Sequence, residues 1–250
     1  MARGGQRADE LVVASGLAES RSKAQALILA GLVYAGEQRI DKPGQHLGKD
    51  SILTLRGRDH PWVSRGGIKL AHGLIHFGID PGALVCLDLG ASTGGFTDVL
   101  LARGAARVYA VDVGHGQLAW RLRQDPRVVV LERTNARELS PALVPEPIGL
   151  IVCDVSFIGL RIALPAALAL VADEAALVAL IKPQFEAGRE QVGKGGVVRN
   201  ASVHRAVCAE VEAWLAQRPG WRVIGVCESR ITGPSGNVEF LIAARYARSS

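Results

Sequence analysis

Two carboxylates bracket a run of small residues in the stretch LVCLDLGASTGGFTDVLLARGAARVYAVDVGHG, residues 84–116. Gly90-Ala91-Ser92-Thr93-Gly94-Gly95 can fold tightly and leave backbone N–H groups facing a ligand where Phe96 enters a helix. Asp112 lies 22 positions beyond Gly90. At that spacing a nucleotide-binding α/β unit holds an acid for the ribose hydroxyls, so the expected ligand is built on adenosine. Ser92 stands where the dinucleotide fingerprint G-x-G-x-x-G has its second glycine, the one that lets a pyrophosphate approach. A dinucleotide is thereby disfavoured without being excluded. Asp88 is expected to place a negative charge at the pocket mouth, where it would repel a pyrophosphate and suit a sulfonium with its amino group. S-adenosylmethionine is the expected cofactor, held by Asp88, Gly90, Ala91, Ser92, Thr93, Gly94, Phe96 and Asp112. A nicotinamide-dependent oxidoreductase is the alternative.

Further polar residues follow apolar strands. The fourth strand ends in Cys153-Asp154 and the fifth in Ile181-Lys182. Ligands bind outside the carboxyl ends of strands in open α/β sheets. A charge there is costly unless it is paired or used. Asp154 and Lys182 therefore either pair with each other or work at the rim of the cofactor. Asn135 and Ala136 follow the third strand, where an adenine ring is lined in such a sheet; Asn135 serves equally well as a helix cap. Glu239 opens the last strand beside a tight turn. Lys69, on a helix that Ser64 is placed to cap, reads by itself as a surface lysine. The four cysteines are scattered with no C-x-x-C pair, so buried thiols are expected and no metal. No Asn-Pro-Pro-aromatic segment follows the fourth strand, and Cys153 should point away from the pocket. A ribose hydroxyl is left as the methyl acceptor.

These residues need a frame. Strand–helix alternation from residue 84 onward, with strands near 84–89, 107–112, 128–131, 149–153, 176–181, 224–227 and 238–242, predicts an α/β, Rossmann-like, largely parallel seven-stranded sheet with helices on both faces. An apolar fraction of 48% over 250 residues supports a large core, and a net charge of +5 permits nucleic acid as a partner without demanding it. The longest apolar region, 162–181, is broken by Pro165, Asp173 and Glu174, so no membrane span is expected and the protein reads as cytoplasmic. Residues 1–55 form a small appended α+β module, 56–63 a linker and 64–250 the catalytic body. Arg56, Arg58, Arg65 and Lys69 make the densest basic patch at that junction.

The segment RADELVVASGLAESRSKAQALILAGLV resembles the S4-type RNA-binding domain. The resemblance implies that Arg7, Ser20, Arg21, Lys23 and Gln25 face RNA, with Arg65 added from the junction. Lys69, Asp154, Lys182 and Glu239 resemble the K-D-K-E tetrad of ribose 2′-O-methyltransferases of the FtsJ/RrmJ type. SRGGxKL, DxGASTGGFT, VDVGxGQLAW, LERTNAR, DVSFI, KPQFE and GPSGNVEF run through the chain in order. Together these motifs resemble the TlyA, or hemolysin A, family of ribosomal RNA methyltransferases. That implies a class I methyltransferase domain acting on a cytidine ribose 2′-hydroxyl of ribosomal RNA or a ribosomal subunit; of its two lysines, Lys182 rather than Lys69 is expected to take or polarise the hydroxyl proton. The stop at Ser250 soon after the last strand favours the large-subunit RNA, with small-subunit RNA as a second site. The family's older name keeps a membrane-active hemolysin as the other alternative. His60-Pro61-Trp62-Val63 departs from the arginine-led tetrapeptide frequent in that family.

Overall fold

The structure is a computed structural model describing residues 5–248 apart from Glu19, Lys49, residues 56–59 and Pro234. Arg56 and Arg58 of the expected basic junction thus lie outside the described residues. The chain divides into two units, Met1–Pro61 and Trp62–Ser250.

In the first unit, helices Ala8–Ala14 and Arg21–Leu29 accompany a three-stranded antiparallel sheet of Val33–Ala35, Gln38–Arg39 and Leu53–Leu55. Its core is a single cluster around Leu11, Val12, Ile28, Val33 and Ile40. Ser20 caps the second helix, its Oγ accepting the Lys23 N–H at 3.2 Å.

The second unit is built on seven strands: β1 (Val85–Leu89), β2 (Arg107–Val111), β3 (Val128–Leu131), β4 (Ile148–Cys153), β5 (Val171–Ile181), β6 (Trp221–Glu228) and β7 (Phe240–Ala247). Their order across the sheet is 3-2-1-4-5-7-6. β1 to β5 are parallel, and β7 inserts antiparallel between β5 and β6. Leu87, Leu89, Ile151, Cys153, Leu177 and Ile181 feed one core. Cys86, Val108, Leu150, Val152, Val178 and Leu180 feed the other. Burial on both faces is why these strands read as continuous apolar runs. Each such aliphatic side chain contributes about 1.5–3 kcal/mol.

Helix α1 (Gly66–Phe77) buries Leu70 and Leu74 and stops at Gly78, whose φ of +62° lets the Ile79 N–H return to the Leu74 carbonyl at 3.0 Å. Gly73 lets it lie close on the sheet: a Cβ there would stand 3.2 Å from Val178 Cγ1 and 3.3 Å from Leu241 Cδ1. Ser64 does not cap it with its side chain. Arg65 occupies the N-cap position, and the Ser64 carbonyl accepts the Gly67 N–H at 3.1 Å. The cause is packing against α2 (Gly95–Ala102), where a Cβ on Gly95 would fall 2.2 Å from Ser64 Oγ. A third long helix, α3 (Ala201–Ala216), is capped by Asn200. Among the described residues, no helix is long and apolar enough to cross a membrane.

Candidate active site

The turn between β1 and α2 is shaped by backbone conformation. Gly90 has φ +80°, and a Cβ there would sit 2.7 Å from the Asp154 carbonyl oxygen. Gly94 has φ +95° and would meet Leu122 Cδ1 at 2.3 Å. Both positions require glycine on steric grounds. The Gly90 and Ala91 N–H groups bond the Val111 carbonyl at 2.9 and 3.1 Å, which brings the turn beside the end of β2. There the two Asp112 oxygens accept the Ser92 N–H at 2.8 Å and the Gly114 N–H at 2.7 Å. Each keeps a lone pair for a further donor.

A pocket opens against this acid, walled by Ala91, Ser92, Gln117, Leu118, Val130 and Glu132. Phe96 is instead a core residue, 3% exposed, and Thr93 is exposed and lends its carbonyl to the Ala119 N–H. Asn135 caps the short turn Ala136–Glu138 by accepting the Arg137 N–H at 3.1 Å. Neither Asn135 nor Ala136 is in the pocket wall, where Val130 and Glu132 stand. Glu132 and Gln117 went unrecognised in the sequence. Glu132 accepts from Gly116 N–H at 2.9 Å and pairs with Arg123, while Gln117 meets Ser92 Oγ at 3.2 Å. Both lie within family-like motifs, Gln117 in VDVGxGQLAW and Glu132 in LERTNAR, which was the signal that could have found them.

Asp88 departs from expectation. It lies fully buried at the end of β1 rather than at a pocket mouth. Thr97 Oγ1 donates to one oxygen at 2.6 Å, and the other has no hydrogen-bond partner among the described residues. Burial pushes its carboxyl up to about 7; the Thr97 hydrogen bond opposes this, and the charges of Asp154 and Asp112 add to it. These features fit S-adenosylmethionine: a buried acid with one oxygen open for an amino group, a tight glycine turn beside it, and Asp112 able to take ribose hydroxyls.

The tetrad assembles along the carboxyl edge of the sheet. Asp154 follows β4 and takes its N–H to the Leu89 carbonyl at 2.8 Å, next to Gly90. Lys182 follows β5. β7 runs antiparallel to β5 with Ile181 opposite Phe240, which brings Glu239 to the same edge. The four side chains form two ion pairs. Lys182 Nζ lies 2.6 Å from Asp154 Oδ1 and donates to Ser156 Oγ at 2.8 Å. Lys69 Nζ lies 2.5 Å from Glu239 Oε2, the two side chains 8% and 1% exposed. Lys69 is therefore no surface lysine and no part of a basic patch. Gly66, at the start of α1, would place a Cβ 3.8 Å from Asp154 Oδ2, so the helix carrying Lys69 begins beside the other pair.

Cys153 faces the core, where burial pushes its thiol up to about 12 and removes it as a nucleophile. Beyond Asp154, Phe157 is 91% exposed at φ +66°, a strained conformation for a bulky residue. Its ring lies 5.1 Å from that of Phe185. Glu186 Oε1 accepts the Leu160 N–H at 2.6 Å and ties the loops after β4 and β5 together.

In the first unit, three of the residues expected to face RNA converge on one acid. Asp9 is buried and accepts from Arg7 twice at 3.0 Å, from Arg21 at 2.9 Å and from Gln25 at 2.9 Å. The Arg7 hydrogen bond, then those of Gln25 and Arg21, hold its carboxyl well below the usual range against the cost of burial. Arg21 and Arg7 stay 51% and 38% exposed, Lys23 is exposed, and Ser20 is spent on its helix cap. Arg65, in the second unit, is exposed.

Comparison with known proteins gives a consistent picture. Residues 62–246 match the FtsJ-like methyltransferase family, and residues 6–53 match the S4 domain. A 16S/23S rRNA (cytidine-2′-O)-methyltransferase TlyA of Mycobacterium tuberculosis is 49% identical over 240 residues, 96% of this chain and 89% of that protein. A solved structure from Streptococcus thermophilus that carries a hemolysin name is 43% identical, with a TM-score of 0.77, covering 99% of this chain and 90% of its own. N-methyltransferase NodS of Bradyrhizobium japonicum, solved with S-adenosylhomocysteine, shares the fold at 17% identity and a TM-score of 0.52, over 76% of this chain and 89% of its own.

Proposed function

Because this chain belongs to the FtsJ-like methyltransferase family, we propose that it transfers a methyl group from S-adenosylmethionine to a cytidine ribose 2′-hydroxyl of ribosomal RNA, in free or subunit-assembled form. The observation that carries the reading is a pair of ion pairs, Lys69–Glu239 and Lys182–Asp154, formed by residues at the carboxyl edge of the sheet, with Asp154 beside the glycine turn. An adenosine-binding turn alone fits many activities, whereas paired lysines beside it suit an oxygen nucleophile that must be oriented and relieved of its proton.

When bound, the cofactor supplies an electrophilic methyl group on sulfur. Asp88 would hold its amino group, Asp112 its ribose hydroxyls, and the wall from Gln117 to Glu132 its adenine. Lys182 would orient the attacking hydroxyl and, in its neutral amine form, accept that proton, Asp154 and Ser156 then holding the ammonium that results. Lys69, clamped by Glu239, supplies a second fixed positive charge. Most of the rate gain then comes from positioning two reactants in line. Phe157 and Phe185 offer a surface on which an unstacked base can rest. In the first unit Arg7, Arg21, Lys23 and Gln25 would take phosphates, and Arg65 would do so in the second.

The test is transfer of labelled methyl from S-adenosylmethionine to ribosomal subunits and to free ribosomal RNA, with ribose methylation mapped at nucleotide resolution. Lys182→Ala is expected to retain S-adenosylhomocysteine affinity within about threefold while losing at least about a hundredfold in transfer. Label found on a base, or undiminished transfer by Lys182→Ala, would overturn the assignment. Comparing the two subunits decides whether the large-subunit RNA is the preferred acceptor.

A further inference from the structure

Away from the cofactor turn, His72 and His76 on α1 and Cys227 on β6 bring their donor atoms within 4.8 Å of one another. We propose that these three residues form a metal site of the zinc class that fastens α1 to β6. Treating each cysteine separately, as the sequence invites, misses it, since the thiol lies 151 positions beyond His76.

The spacing is built by regular structure. His72 and His76 are four residues apart and share one face of α1, the arrangement that lets a helix offer two imidazoles to one ion. Cys227 comes from β6, in register with Leu241 of β7, and is a free, half-buried thiol. Imidazole nitrogen and thiolate sulfur are both ligands zinc takes, and three protein ligands leave a fourth position for water. Tetrahedral zinc with its usual bond lengths sets donor separations of about 3.5 Å, so the three atoms need to close by roughly 1 Å. Side-chain rotation supplies that, because His76 is exposed and the other two are half-buried.

Three observations add to the geometry. His72 Nδ1 is buried and has no hydrogen-bond partner among the described residues. His76 sits in the last turn of α1, where the helix dipole favours a cation. The exposed His76 gives an ion a path in from solvent. Arg230 faces His72 and acts against a cation, and the bound thiolate offsets that charge. The site also has a structural relation to the tetrad. Lys69 lies one turn before His72 on α1, and its partner Glu239 is two residues from Leu241 on β7. An ion here would fasten the helix bearing Lys69 to the sheet edge bearing Glu239.

The experiment uses the full chain without an affinity tag, stripped of metal, and titrated with Co²⁺ and then Zn²⁺. The expected result is one equivalent bound, with a thiolate-to-cobalt charge-transfer band, intense tetrahedral visible bands, and loss of both when zinc displaces cobalt. Cys227→Ser should abolish the charge-transfer band. His76→Ala should weaken Co²⁺ binding by at least about tenfold, a scale reached even by changes to groups behind a metal's ligands. S-adenosylhomocysteine affinity, unchanged in both variants, reports that the fold is intact. Absence of a thiolate band in the unaltered chain, or Co²⁺ binding by the two folded variants as tight as in the unaltered chain, overturns the proposal.

Discussion

The buried acid at the end of β1 yields a quantitative test of how the cofactor is held. The Asp88 carboxyl is pushed up to about 7, chiefly by burial, and one of its oxygens lacks a partner. If that oxygen receives the amino group of the cofactor, binding requires the ionised carboxylate, so affinity should rise with pH through neutrality. A group titrating near 7 is about 90% ionised at pH 8 and about 3% at pH 5.5, which corresponds to a roughly 30-fold weaker Kd at the acid end. Asp88→Asn keeps an acceptor for Thr97 but removes the titration. It should bind S-adenosylhomocysteine weakly, with only the pH slope that the ligand's own amino group contributes. The difference between the two proteins, measured by isothermal titration calorimetry from pH 5.5 to 8, isolates Asp88.

The same shift carries a stability signature of known sign. The folded carboxyl titrates above its unfolded value of 3.8, so between about pH 4 and 7 the folded chain keeps a proton that the unfolded chain has released. Stability without ligand should therefore fall as pH rises through that window, by at most about 4 kcal/mol, and Asp88→Asn should lack that fall. Parallel pH slopes for the two proteins in both assays would refute the reasoning.

Gly90→Ala should lower the melting temperature and weaken cofactor binding, because φ is +80° and the new methyl would meet a backbone oxygen at 2.7 Å; a cost of at least about 2 kcal/mol is expected from strain and displacement, read by urea unfolding. Lys69→Met and Glu239→Gln each break a pair almost wholly removed from water and should each cost about 3–5 kcal/mol. The double variant should cost clearly less than their sum, and simple additivity would show that the pair is not coupled. Asp9→Asn should destabilise the first unit at neutral pH and loosen Arg7, Arg21 and Gln25, weakening RNA binding. Since the Asp9 carboxyl is held below its ordinary value of 3.8, its contribution is present above that pH and is lost on acidification. The stability gap between Asp9→Asn and the unaltered chain should therefore close as pH falls below about 4, which pH-dependent unfolding would detect.

Local order carried much of this protein. The glycine turn, the acid 22 positions on and the charges ending the fourth and fifth strands are legible because turn sterics and strand periodicity act over a few residues. The same local rules located the seven strands, though β5, β6 and β7 run longer than the apolar runs that marked them. Resemblance then supplied what periodicity lacks, grouping Lys69 with Glu239 across 170 positions.

Tertiary structure decided the rest, because burial and partner choice depend on which segments meet. Asp88 reads like any acid before a glycine turn, and only the two-sided sheet makes it buried and hard to ionise. Lys69 reads as a surface lysine until Gly73 lets α1 settle onto β5 and β7 and delivers it to Glu239. Arg7, Arg21 and Gln25 read as separate polar residues until Asp9 gathers them, and Asn135 caps the short turn that follows it by accepting the Arg137 N–H. A chain can show which groups it carries at each strand end. Whether a group is desolvated, and which charge stands opposite, is fixed only when distant segments close the space around it.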